Sequence, residues 1–132
     1  MSYSDVHQSY GRCRRAGGFA ERFYERFVNA DPRVEESFRG TDWSQQKRAL
    51  GQAVTTSISY AEGETFVQST MERMAQVHSR NGRVPVQPVL YGIWLECMIE
   101  TVRELDPKWQ DSLESRWRAA LSPAIDLFIE HY

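Results

Sequence analysis

From Ser4 onward, apolar side chains return every three or four positions, the period of one face of an α-helix, and runs that alternate apolar with polar are almost missing. The spacing predicts a first helix over Ser4 to Arg15, closed by Gly17-Gly18, and a second from Phe19 to about Asn29 with Phe23, Tyr24 and Phe27 as its stripe. Asp31-Pro32 reads as an N-cap followed by proline at the first helical position, which opens a short third helix ending near Phe38. Thr41 or Asp42 caps a fourth helix whose inner face runs Trp43, Gln46, Leu50, Val54, Ile58. Gly63 breaks the chain. A fifth helix then carries Val67, Met71, Met74, Ala75 and His78 on one side, and Asn81-Gly82 ends it. After Pro85 and Pro88 a long sixth helix reaches about Leu105, its stripe being Tyr91, Trp94, Leu95, Met98, Val102 and Leu105. Asp106-Pro107 repeats the cap-then-proline signal and starts a seventh helix with Leu113, Trp117, Leu121, Ile125 and Phe128 inward. Pro123 lies inside that helix and removes one backbone donor, which predicts a kink. Seven helical segments on short links define one all-helical domain spanning residues 1–132.

Composition narrows the partners. A chain of 132 residues is large enough to enclose a bulky ligand within a single core. The net charge of -2 and the scatter of the basic residues argue against nucleic acid, and no apolar run approaches the length of a membrane span. Cys13 and Cys97 stand far apart with no CxxC spacing, which fits two thiols in a reducing compartment. The first residues carry no charged-then-apolar leader. A cytoplasmic protein is the expectation.

Two polar residues interrupt the inner stripes, Gln46 on the fourth helix and His78 on the fifth, and Tyr24 lies beside the stripe of the second. A buried polar group must find a partner or cost free energy. In the plain reading each is satisfied by a neighbouring backbone group. In the sharper reading His78 is a metal or haem ligand, since neutral imidazole is the commonest metal ligand and the usual proximal ligand of haem in globins. Zinc needs three or four converging protein donors. The other histidines, His7 and His131, sit near opposite chain ends, and neither cysteine nor carboxylate lies at ligand spacing from His78. A porphyrin supplies four nitrogens itself, so one histidine on an apolar face suits haem better than zinc.

Taken together, these segments resemble the bacterial single-domain globins and the globin domain of flavohaemoglobins. Phe23-Tyr24-Glu25-Arg26-Phe27, followed by Asp31-Pro32 to Phe38, is similar to that family's FY-x-x-(F/L) and P-x-x-x-x-F segments. Gln46-Lys47-Arg48-Ala49-Leu50 resembles its distal Q-x-x-A-L segment, and Met74-Ala75-Gln76-Val77-His78 its proximal (L/I)-A-x-x-H segment. Tyr91-Gly92-Ile93-Trp94 and Trp117 to Phe128 continue the likeness, which covers roughly residues 19 to 130 in order. Three features depart from the family. The stretch between His78 and Tyr91 is a few residues longer, the family's late carboxylate falls on Tyr132, and no reductase domain follows.

The resemblance implies a globin fold, a three-on-three helical sandwich around a haem pocket, with haem b (iron protoporphyrin) held by His78. It implies a distal face of Tyr24, Phe38, Gln46 and Leu50 toward dioxygen or another small ligand such as nitric oxide or sulfide. Met74, Val84, Tyr91, Trp94, Leu95 and Met98 would wall the macrocycle, and Arg48 and Arg80 would pair with its propionates. Reversible ligand binding is the leading expectation. The alternatives are a haem redox enzyme such as a nitric oxide dioxygenase served by an external reductase, and a gas-sensing or interaction module. A homodimer through the sixth and seventh helices is a further expectation.

Overall fold

A computed structural model describes all residues 1–132. It contains seven α-helices and no strand: α1 Ser4–Ala16, α2 Phe19–Ala30, α3 Pro32–Ser37, α4 Trp43–Ala61, α5 Gln68–Val77, α6 Val89–Leu105 and α7 Ser112–Glu130, with a single 3-10 turn, Thr65–Val67, leading into α5. No helix is long and apolar enough to cross a membrane.

Local chemistry sets most boundaries where the spacing predicted them. Gly17 and Gly18 adopt φ of 84° and 74°, a region closed to most L side chains, and so let the chain turn sharply from α1 into α2. The Asp31 carboxylate accepts the Arg33 backbone N–H with Pro32 in the first turn, and Asp42 accepts from Gln45 N at the head of α4. Each such cap is worth about 1 kcal/mol.

Two boundaries differ from expectation. α5 stops at Val77, four residues before Asn81, and His78 is its C-cap. The chain folds back there: Val84 N–H donates to the Val77 carbonyl at 2.9 Å and Val86 N–H to the His78 carbonyl at 3.1 Å, so the returning loop takes the place of a further helical turn. Gly82 belongs to this return. A Cβ on it would lie 2.2 Å from the Gln76 carbonyl oxygen and 2.3 Å from that of Val77, so close approach of backbones is what requires glycine. The second correction concerns Asp106, which does not cap α7. It is the buried C-cap of α6, and α7 starts only at Ser112. Its carboxylate accepts from Arg12 Nε and Nη2 at 2.6 and 2.9 Å, from Ser9 Oγ at 2.6 Å and from Lys108 N at 2.9 Å. Trp117 Nε1 donates in turn to Ser9 Oγ, tying α1, α6 and α7 together through one buried network.

The helices form two layers. α1, α4 and α5 make one and α2, α6 and α7 the other, with α1 on α6 and α7, α2 on α4, and α4 and α5 on α7 between them; α3 brackets α2. The main core centres on fully buried Phe23, Ile58, Met98, Ile99, Trp117 and Leu121. A smaller cluster of Met71, Ala75, Tyr91, Ala124 and Phe128 lies where α5 meets α6 and α7. Extended backbone contact is missing between α6 and either α4 or α5. Met74 of α5, Trp94 and Leu95 of α6 and Phe38 at the end of α3 stay only half-buried, although each packs against one of the two cores.

Candidate functional site

His78 is positioned by the end of its helix. Its Nδ1 lies 3.0 Å from the Val84 carbonyl oxygen. A carbonyl only accepts, so Nδ1 carries a ring hydrogen, and the lone pair that a neutral imidazole offers would be on Nε2. The Phe128 ring meets the imidazole edge-on at 6.0 Å, and Tyr91 leans on Phe128 at 5.7 Å. This is the arrangement that fixes tautomer and ring direction in metal-bound histidines: one nitrogen tied to a backbone acceptor, the other bare. The Tyr91 hydroxyl is buried without a hydrogen-bond partner, and burial pushes its pKa up to about 12.

A second polar constellation is built by α2 and α4. Tyr24 is buried on α2, and its hydroxyl accepts from Gln46 Nε2 at 2.9 Å. The phenol's own hydrogen has only the Gln46 backbone carbonyl, at 3.4 Å, beyond the ordinary O–H···O range. It is therefore available to a better acceptor. Burial raises the Tyr24 pKa to about 12 against the opposing effect of the Gln46 hydrogen bond, which keeps the group a phenol and not a phenolate. Leu50, one turn on from Gln46, is buried beside it on α4. Phe38 meets Tyr24 edge-on at 5.6 Å and stacks on Trp43 at 5.4 Å.

The other expected residues separate into groups. Met98 is fully buried, and Met74, Trp94 and Leu95 are half-buried. The Val84 side chain is 50% exposed, and the residue reaches His78 through its carbonyl. Trp43, expected on the inner face of α4, is 37% exposed because it is the first residue of the helix and projects past the core. Arg48 is exposed on α4, and the Arg80 guanidinium rests 5.0 Å over the ring of Tyr132, to whose carbonyl its backbone N–H also donates. His7 is engaged with Glu62 at 3.0 Å, and His131 Nδ1 donates to the Leu127 carbonyl at 2.9 Å. A periodic reading missed the Val84 carbonyl, the contact of Phe128 with His78 and the tight return at Gly82. Only the Asn81-Gly82 pair signalled any of these in advance, and it did so as a turn.

The donor chemistry discriminates between cofactors. No group of three or more His, Cys, Asp and Glu side chains converges anywhere. One oriented imidazole against Phe128, in a chain whose Met74, Trp94 and Leu95 stay half-buried, suits a planar apolar group that brings its own equatorial donors, which is the description of a haem.

No family model and no curated protein matches the chain. Among solved structures it is similar to a protein of Pseudomonas aeruginosa PAO1 whose crystal structure is described as structurally highly homologous to human haemoglobin. The TM-score is 0.93 at 29% sequence identity, over 98% of this chain and 97% of that one. The fold of this chain is therefore globin-like, an all-helical three-on-three sandwich.

Proposed function

We propose that this globin-like chain is a haem protein of the bacterial single-domain type, holding one haem b through His78 Nε2 and binding dioxygen or a similar small ligand beside Tyr24 and Gln46. The observation that carries the reading is the His78 ring itself: Nδ1 spent on the Val84 carbonyl, Nε2 free to donate. The likeness to a haemoglobin-like structure over nearly the whole of both chains supports it.

When bound, the haem would supply an iron able to take a diatomic ligand and make it a better hydrogen-bond acceptor. The chain's own residues do the rest. His78 is held in one tautomer and direction by Val84 and Phe128. Tyr24 places a loosely held hydrogen, and Gln46 orients the phenol from behind by donating to it. Buried Leu50 and half-buried Phe38 set apolar surface beside the phenol. Met74, Trp94, Leu95 and Met98 would wall the macrocycle, with Arg48 as a propionate partner. Arg80 would serve as a second one after leaving the Tyr132 ring.

Reversible binding is favoured over redox turnover by the acceptor on Nδ1. A neutral carbonyl raises the basicity of the imidazole less than a carboxylate does, and Tyr91, buried nearby, has no carboxylate to hold its hydroxyl. Absorption spectra of the purified protein in ferric, ferrous, dioxygen and carbon monoxide forms test the reading. A Soret band that His78→Ala loses and added imidazole restores is the expected result. A chain that takes up no haem overturns it.

A further inference from the structure

We propose that the small ligand reaches its site through the crevice between α2 and α4, and that Trp43 is the leaf that opens and closes this route; the proposal rests on the haem reading. The crevice has a volume of about 320 Å³. Tyr24, Val28 and Trp43 give it an apolar side, and Glu21, Glu25, Asn29 and Lys47 a polar one. Here the buried Tyr24 ring borders space continuous with solvent.

Trp43 is built to move. It opens α4 just after a corner that turns on Gly40 at φ 73°. Its indole stacks on Phe38 at 5.4 Å and meets Tyr24 edge-on at 5.2 Å, so it stands against the phenol ring itself and against the aromatic ring beside it. Yet it is 37% exposed, so one side of the ring already faces water. Swinging outward therefore breaks ring contacts only. Across the crevice Lys47 and Glu21 approach at 3.7 Å, a loose, partly solvated pair that restrains α4 on α2 weakly.

A route past Gln46 would be the alternative. Moving that side chain breaks its 2.9 Å hydrogen bond to Tyr24 and leaves a buried phenol oxygen without a donor. The Trp43 side opens with no such loss. A molecule of two atoms needs only a brief gap, and an apolar gas is not slowed by desolvation at Val28 and the indole.

The test is carbon monoxide rebinding after nanosecond photolysis of the haem-loaded chain, with wild type, Trp43→Phe and Trp43→Ala compared. Trp43→Ala is expected to raise the bimolecular association rate about tenfold and to lower the geminate fraction, a barrier change of about 1.4 kcal/mol. Trp43→Phe is expected to fall between it and wild type. Should Trp43→Ala fail to fold, acceleration in Trp43→Phe carries the same weight. Unchanged association in a variant with an intact Soret band overturns the proposal. Xenon-pressurised crystals give a reading that needs no haem. Xenon seated between Tyr24 and residue 43 in Trp43→Ala supports the route, and a crevice without xenon in that variant overturns it. A wild-type chain that binds no haem would instead sink the haem reading, while the xenon result still judges the crevice.

Discussion

Tyr24 is the residue on which ligand retention turns under the proposed function. Its hydrogen is held only by the distant Gln46 carbonyl, so a ligand carrying partial negative charge takes it at small cost. A hydrogen bond to a charge-bearing acceptor is worth roughly 1.5–3 kcal/mol, so Tyr24→Phe is expected to speed dioxygen release about tenfold to a hundredfold in stopped-flow displacement. Gln46→Leu is expected to act in the same direction but less strongly, because Gln46 acts on the phenol from behind. Equal dissociation rates in wild type and Tyr24→Phe would remove the phenol from this role. Residues of this kind were legible in the sequence because they broke a pattern: a tyrosine, a glutamine and a histidine set among apolar stripes. What the pattern could not convey was which atom each residue uses. Val84 drew notice for its side chain, yet its carbonyl is the part that meets His78, and backbone acceptors leave no mark on hydrophobic periodicity.

At the scale of elements, the end of α5 and the end of α6 carry the consequences. The return of the chain over α5 depends on Gly82, whose missing Cβ makes room for the Gln76 and Val77 carbonyls. Gly82→Ala must push the return outward and take the Val84 carbonyl with it. A loss of roughly 1–3 kcal/mol is expected in denaturant titration. Resonance Raman of the ferrous haem form is expected to show a weakened iron–imidazole stretch, which loss of stability alone would not produce. At the end of α6, burial acts to raise the Asp106 pKa, but hydrogen bonds from Arg12, Ser9 and Lys108 N outweigh it and hold it at about 2 against an ordinary 3.8. The folded value lies below the unfolded one, so this carboxylate adds stability above about 4 and loses it as pH falls toward 2. Arg12→Ala leaves a buried charge short of its main partner and is expected to cost about 3 kcal/mol near neutral pH. The gap to wild type should shrink across that acid window in parallel urea titrations; a gap independent of pH would mean that Arg12 serves by packing alone. The sequence showed Asp106-Pro107 as a helix start, since an Asx turn and an N-cap use the same residues. Its long-range pairing with Arg12 is a tertiary fact that no local window contains.

At the scale of the whole molecule, helix number, order and inner faces followed from a 3.6-residue period and a few glycines and prolines, whereas the separation between α6 and the α4–α5 pair did not. A stripe reports that a face is covered, not what covers it, and Trp94 or Leu95 reads the same whether it meets a helix or a haem. That separation makes the fold uneven. α5 is held by α4, α7 and the 3-10 turn, but has no extended contact with α6, and its partner cluster of Met71, Ala75, Tyr91, Ala124 and Phe128 is small. A haem burying on the order of 500 Å² of apolar surface there would contribute roughly 10 kcal/mol gross. By mass action, haem at about a thousand times its Kd stabilises by about 4 kcal/mol. Haem addition is therefore expected to raise the Tm by roughly 10–20 °C. The gain should be local as well as global. In hydrogen exchange of the haem-free chain, α5 and residues 78–88 should lose protection first, while α1, α6 and α7, joined through Trp117 and the Ser9–Asp106–Arg12 network, and α2, packed along α6, keep theirs. Exchange that rises evenly over all seven helices when haem is removed would show that the chain is one cooperative unit that does not lean on its cofactor.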